Sequence, residues 1–423
     1  MGHPDNPFGR NFLEDSIREI IVVVACLIAL VLFYAVESFR LEKNRRCLAL
    51  RICVTGARGK SSVTRLLAAA LREGGFKVLA KTTGSRPMLL LPDGSEVELN
   101  RWGRPSVLEQ LKVMRRAVEL SADVVVAELM SIRPKTLAIE SRRIFKPNIL
   151  LITNARPDHT EHWGPSQETA ARCLASAIGP DCTVFVPDEE MRPLWEEAAA
   201  RQGAEICTVK FADAEAVAEH SPSLDMDDIS DTPLRFESNV QLVQAVTDSL
   251  NIDRELAEKG IRRSLPDLGG LRIWSWQPNL DGPVWDCVSA FAANDPDSTR
   301  MVLEKLTALG LINGKPVIGL LHLRRDRGDR TLQWLEALRA GNFLDLQELY
   351  VTGTHARAFK RRLCGDRSSI VPVILKSARP EGIMSALTAN VLAPALVLGM
   401  GNMGGTGREL VEYWEREGTP RAV

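Results

Sequence analysis

A lysine, two serines and two glycines set between an apolar run and a helical pattern can grip a phosphate. The segment ICVTGARGKSSVTRLLAAAL (Ile52–Leu71) holds them in that order. Gly56 and Gly59 permit a turn tight enough for successive backbone N–H groups to face one anion. The following helix adds its positive end, Lys60 a mobile cation, and Ser61 a hydroxyl of the kind that ligates Mg²⁺. The spacing is GxxGKS, shorter than the general GxxxxGK[ST], because Val54 stands where the first glycine would be. A mere strand–helix turn would need only part of this set. The full array predicts binding of a nucleoside triphosphate.

The elements around this loop say where further chemistry must lie. Apolar runs at Arg51–Val54, Lys77–Lys81, Val124–Glu128, Ile149–Thr153 and Thr183–Val186 read as strands. Helical stretches at Ser61–Glu73, Ser106–Leu120 and Gln167–Ile178 alternate with them, and Met88–Asn100 reads as a hairpin turning at Pro92-Asp93-Gly94. Alternation of this kind predicts an α/β fold on a largely parallel sheet. Such sheets bind ligands beyond the carboxyl ends of their strands. There the sequence places Thr82 and Thr83, then Glu128, then Asn154 with Asp158 and His159. Glu128 ends the buried run Val124–Ala127, so its carboxylate is a candidate Mg²⁺ ligand, a hard cation seeking oxygen. A strand-end glutamate facing water would look the same in isolation, as would a loop aspartate and a surface histidine.

Beyond this unit, the acidic stretch from Ala212 to Thr232 reads as a surface connection, and Ser238–Arg263 as helix. Pro266, Gly269 and Gly270 mark a break. A smaller α/β domain then comes, with strands expected at Val284–Ala290, Pro316–Leu321, Leu349–Thr352 and Ala395–Leu398.

Composition sets further bounds. The 423 residues carry a net charge of −1 without long blocks of one sign, which argues against general nucleic-acid binding. Ile20–Val36 has no charged residue and reaches the lower end of what a bilayer-spanning helix needs, roughly 17–25 residues. Acidic residues dominate before it; Arg40, Lys43, Arg45, Arg46 and Arg51 come after. The positive-inside rule then puts the body in the cytoplasm, where ATP is. The expected organisation is an extracytoplasmic tail (1–19), a single-pass anchor (20–36), a basic juxtamembrane linker (37–50), an ATP-binding domain (51–268) and a C-terminal α/β domain (269–423). The eight cysteines form no CxxC pair and fit reduced thiols.

TGARGKSSVT, KTTGS, VVVAELMS and ITNARPDHTEHWG, in this order, resemble the central ATPase domain of the Mur ligase family, whose members activate a carboxylate by phosphorylation and then form an amide. The membrane segment, AFAANDPDST (Ala290–Thr299), HLRRDRGDR (His322–Arg330) and LGMGNMGGTG (Leu398–Gly407) extend the likeness to the ligase subunits of poly-γ-glutamate synthase, the PgsB/CapB type. The resemblance implies ATP and Mg²⁺ as cofactors. It implies a cradle of Gly56, Ala57, Arg58, Gly59, Lys60, Ser61 and Ser62, with Lys60 on the β- and γ-phosphates. Ser61, Glu128 and His159 match metal-holding positions, with Thr83 a weaker candidate. Asn294 and Asp295 match nucleotide-contacting positions, and Asp286 the start of their strand. Arg58 replaces a small or amide residue and is expected to add charge over the γ-phosphate. Many Mur ligases carry a carbamylated lysine on the helix after the DH pair; SQETAARCLASAIG has no lysine.

The implied partners are glutamate, the growing poly-γ-glutamate chain and other membrane subunits of a synthase, with homo-oligomerisation open. Asp326, Arg327, Asp329 and Arg330 suit an anionic chain, or a solvated loop. Gly399, Gly401, Gly404 and Gly405 suit an anion, or a tight turn. Trp274, Trp276 and Trp285 read as packing. Two alternatives stand: another Mur-type carboxylate–amine ligase, and a membrane-tethered regulatory NTPase. The second leaves the DH, NDPDS and DRGDR segments without purpose, and no NKxD guanine-reading motif is present.

Overall fold

Short unbroken runs of valine, isoleucine and leucine make strands buried on both faces, and such strands need helices above and below. In the computed structural model they form two sheets, each covered in this way. The structure describes residues 7–421 apart from 85, 102–104, 157–159, 165, 189–190, 212–234, 266–269, 279–281, 313, 342–345, 366–369 and 391–393, with side chains from residue 18 save 160, 161 and 390.

The first sheet contains β1 (Leu50–Thr55), β2 (Val78–Thr82), β3 (Met88–Leu90), β4 (Glu96–Glu98), β5 (Val124–Glu128), β6 (Ile149–Ile152), β7 (Thr183–Pro187) and β8 (Glu205–Val209). Their spatial order is β4-β3-β2-β5-β1-β6-β7-β8, parallel except for the hairpin pairings β2–β3 and β3–β4. Strand β1 thus lies between β5 and β6, with Val54 opposite Glu128 and Thr55 opposite Ile152. That register brings the ends of three strands to one place.

The second sheet contains β9 (Arg272–Trp276), β10 (Trp285–Ser289), β11 (Val317–Leu323), β12 (Leu346–Gly353), β13 (Val373–Ile374), β14 (Leu396–Gly401) and β15 (Thr419–Pro420). Their order is β13-β12-β11-β14-β10-β9-β15, antiparallel only where β9 meets β10 and β15. Trp274, Trp276 and Trp285 are buried in its core, so they pack.

Several elements differ from expectation. β8, β9, β13 and β15 add to the expected strands: β8 is a half-exposed edge with polar residues, and β13 and β15 have two residues each. The helical stretch from Ser238 is two helices, Glu237–Ser249 and Arg254–Arg263. Asn251 breaks it with a left-handed φ of 55°, and Asp253 caps the second helix by accepting from Leu256 N. The loose stretch 212–232 lies wholly outside the described residues.

The apolar N-terminal segment is part of one helix, α1, running Pro7–Cys47. Residues 37–47, expected as a linker, continue it, since no glycine or proline intervenes and Glu37–Arg40 and Glu42–Arg46 pair along it at 3.3 and 3.6 Å. The end of α1 then packs on the body. Glu37 meets Arg115 at 3.7 Å on the helix α3 (Glu109–Glu119), and Arg45 donates to Arg143 O at 2.7 Å. Upstream, the apolar stretch is exposed: Ile20, Leu27, Val31 and Phe33 are each more than half accessible.

Candidate active site

The phosphate-binding loop leaves β1 and enters the helix α2 (Lys60–Glu73). Gly56 has φ +133° and sits so close to the end of β6 that a Cβ would lie 2.1 Å from Thr153 Oγ1. Gly59 has φ +82° and faces Asn239. Only glycine adopts these conformations without strain. The loop is tied to the residues after β6: Ala57 N donates to Asn154 O at 3.0 Å, Arg58 N to Asn154 Oδ1 at 3.2 Å, and Asn154 Nδ2 to Arg58 O at 3.0 Å. Lys60 Nζ folds back onto Gly56 O at 2.8 Å and Ala57 O at 3.2 Å.

At the inner edge of the loop, Ser61 Oγ donates to Glu128 Oε2 at 2.8 Å, and Thr83 N donates to the same oxygen at 2.7 Å. The three residues come from α2, the end of β5 and the segment after β2, so parallel order alone brings them together. Glu128 is buried at 2% exposure, and among the described residues no cationic side chain lies within ion-pair distance of it. The buried Lys81 acts on Glu128 only at longer range, and a buried carboxylate without a direct ion-pair partner is costly. A divalent cation would supply that charge, and two protein oxygens with phosphate and water make an ordinary Mg²⁺ shell. The donor set fits the metal. His159 and Asp158 lie outside the described residues, and no group of three or more His, Cys, Asp or Glu suited to a metal occurs among the described ones.

At the outer edge, Arg58 reaches across to the second sheet. Its Nη2 is 2.7 Å from Asn294 Oδ1 and 2.7 Å from Asp295 Oδ2. The guanidinium expected over the γ-phosphate is thus bound to the residues expected to touch the nucleotide. Asp295 also caps the helix Pro296–Ala308, accepting from Ser298 N at 2.9 Å, and buried Arg330 stands 4.0 Å behind it. Arg330 is therefore inside the fold, while Asp326 pairs with Arg324 at an exposed position. Gly401 and Gly405 have positive φ, and His322 Nε2 is 3.1 Å from Gly404 O; burial pushes its imidazole below the usual histidine range.

Between the two sheets lies a cavity of about 170 Å³, lined by Gly59 and Ser62 of the loop, Phe236 and Asn239 of the following helical region, and Ala293 and Met301 of the second sheet's unit. Phe236 and Asn239 are additions to the expected site; the one signal in the sequence is for Asn239, a polar residue in the first turn of a helix after a loose connection.

Comparison with known proteins divides the chain as the two sheets do. The Mur ligase middle domain family matches residues 54–244, and the poly-gamma-glutamate synthase CapB C-terminal domain family matches residues 280–417. The PGA synthase CapB of Bacillus subtilis (strain 168) is 29% identical over 343 residues, covering 79% of this chain and 81% of that protein. The capsule biosynthesis protein CapB of Bacillus anthracis is 27% identical over 411 residues, covering 94% and 83%. Among solved structures, the bifunctional folylpolyglutamate synthase/dihydrofolate synthase of Yersinia pestis, complexed with AMPPNP and Mn ion, shares the fold. Its TM-score is 0.64 at 15% identity, over 90% of this chain and 92% of that one.

Proposed function

From the premise that this chain belongs to the CapB family of Mur-type ligases, we propose that it is an ATP-dependent amide ligase that polymerises glutamate into poly-γ-glutamate, releasing ADP and phosphate. The observation that carries the reading is the Ser61–Glu128 corner at the mouth of a GARGKSS loop whose outer edge is held by the second sheet. A free carboxylate is a poor acyl donor at neutral pH, so activation must come first. An oxygen of the acceptor carboxylate attacks the γ-phosphorus, the bond to the ADP oxygen breaks, and an acyl phosphate forms. The amine of glutamate, having lost its proton, then attacks the acyl carbon, and the carbon–oxygen bond breaks to release phosphate.

In this scheme Lys60 turns from its carbonyl partners to the β- and γ-phosphates, and the loop N–H groups other than those of Ala57 and Arg58, which Asn154 takes, hold the rest. Ser61 and Glu128 would hold Mg²⁺, with Thr83 and His159 as the further candidate ligands. When bound, Mg²⁺ neutralises charge on the transferring phosphoryl group. The cavity at Phe236 and Asn239 takes the base and ribose, since it adjoins the loop and is mostly apolar. Arg58, Asn294 and Asp295 keep the two sheets closed over the reacting groups and shelter the acyl phosphate from water. The exposed apolar stretch of α1 crosses the membrane, with the basic end and the body cytoplasmic, and other membrane subunits complete an export path.

The test is ADP release with and without glutamate, together with hydroxylamine trapping. Glutamate-dependent ADP and an acyl hydroxamate are expected. Turnover indifferent to glutamate would point to a regulatory NTPase, and release of AMP would exclude the phosphate route.

A further inference from the structure

The short turn after Glu128 is held by a second buried carboxylate, and we propose that this residue, Glu140, is the positioning residue of the Ser61–Glu128 corner. The inference rests on the reading of Glu128 as a metal ligand. Glu140 is fully buried on the π-helix Ile139–Phe145. Its Oε1 accepts from Met130 N at 3.0 Å and from Gln110 Nε2, and its Oε2 accepts from Ser131 N at 2.9 Å. Leu129 N is taken by Val54 O at 2.9 Å, and Glu128 O by Gln110 Nε2 at 3.4 Å. Four backbone groups between Glu128 and Ser131 thus have a named partner, and two of them end on Glu140.

Gln110 has no choice of orientation. Its Oε1 accepts from the buried Lys81 Nζ at 3.0 Å, which leaves its NH₂ for Glu140 and the Glu128 carbonyl. Burial lowers the Lys81 pKa, opposed by the nearby Glu109 and Glu140 carboxylates. Among the described residues no cation lies within ion-pair distance of Glu140, and Lys81 acts on it only at longer range; its direct partners are three N–H donors, and charge-assisted bonds of this kind are about twice as strong as neutral ones.

The platform under Glu140 is itself fixed. A π-helix leaves carbonyls at its end to be met by other donors. Here Arg45 donates to Arg143 O, and Arg51 to Phe145 O at 3.1 Å and Lys146 O at 3.0 Å. Glu140 therefore transmits a rigid frame, built from α1 and β1, to the backbone that aims the Glu128 carboxylate. π-turns of this kind recur at functional sites.

The experiment compares Glu140→Gln, Glu140→Asp, Gln110→Met and Glu128→Gln in the full chain. Mn²⁺ binding is read by electron paramagnetic resonance with a non-hydrolysable ATP analogue. Amide hydrogen exchange at Met130 and Ser131 is read without nucleotide or metal. Glu140→Gln places an NH₂ against one of the backbone donors. It should weaken Mn²⁺ binding about 10–100-fold, as loss of an outer partner of a metal ligand does, and speed exchange at both amides at least about tenfold. Nucleotide affinity in EDTA should stay within about twofold, because the phosphate loop is untouched. Glu140→Asp should recover part of the loss. Unchanged Mn²⁺ affinity in Glu140→Gln, with Glu128→Gln weakened, overturns the proposal. If Glu128→Gln is also unchanged, the metal reading fails instead. Should Glu140→Gln not fold, Gln110→Met decides: unaltered Mn²⁺ affinity in that variant equally overturns it.

Discussion

The two edges of the GARGKSS loop are built in opposite ways. The inner edge joins Ser61, Thr83 and Glu128, all within the first sheet's unit, and its supports run on through Gln110 and Glu140 in that same unit. The outer edge joins Arg58 to Asn294 and Asp295, which lie far along the chain, Asn294 by 236 positions, and belong to the other sheet. The first arrangement exists whenever one domain is folded. The second exists only when two domains meet. Preorganised groups suit charge that develops during reaction, whereas a contact between domains suits admission and release. The proposed function therefore assigns chemistry to the inner edge and closure to the outer.

The largest expected effect belongs to the loop itself. Lys60→Ala should lower glutamate-dependent ADP formation by about 10²–10³-fold or more, since it removes a cation from the developing phosphoryl charge. The thermal midpoint should hardly move, because water can serve the loop carbonyls that Lys60 bonds. Turnover close to wild type would remove the loop from the chemistry. Gly56→Ala should act differently, on folding as much as on rate. Its φ of +133° and the 2.1 Å approach to Thr153 cost an alanine at least about 1–2 kcal/mol, measurable by chemical denaturation.

Arg58→Ala comes next and tests the division of labour directly. If the outer edge governs closure, KM for ATP and the rate of acyl-phosphate hydrolysis should both rise, while Mn²⁺ affinity stays within about twofold. A double-mutant cycle with Asp295→Asn should show a coupling of about 1–3 kcal/mol in kcat/KM, as contacting, mostly buried charged partners do. A large loss of metal affinity in Arg58→Ala would merge the two edges into one site.

The inner edge was more legible in the sequence than the outer, for a physical reason. Parallel strands bring their carboxyl ends to one line, so the residues just past each apolar run already gather Ser61, Thr83 and Glu128. Only the neighbourhood of β5 with both β1 and β2 had to be true. Local pattern carries no such rule for Arg58, whose destination depends on how one sheet rests against another. Asn239 was hidden for the same reason, being placed against Gly59 by packing alone. Glu140 was illegible because a π-turn has no simple apolar period, and a glutamate in IESRRIF reads as surface until its donors are seen. The helical course of the basic linker after Val36 was not legible from its charge, although charged residues paired at helical spacing prolong a helix.

The smallest effect expected is at the margin of the same contact between sheets. Arg86 and Glu412 pair at 2.5 Å across it, with side chains 33% and 39% exposed. By distance alone this bridge looks as strong as that of Arg58 with Asp295. Exposure reverses the ranking, because water and salt screen the attraction and two long side chains must be held still. The coupling in an Arg86→Ala/Glu412→Ala cycle should be about 0–1 kcal/mol and should vanish at high ionic strength, while the Arg58–Asp295 coupling persists. Equal couplings for the two pairs, read in the same kcat/KM assay, would mean that closure is spread over the whole interface. The outer edge of the loop would then be only one contact among many.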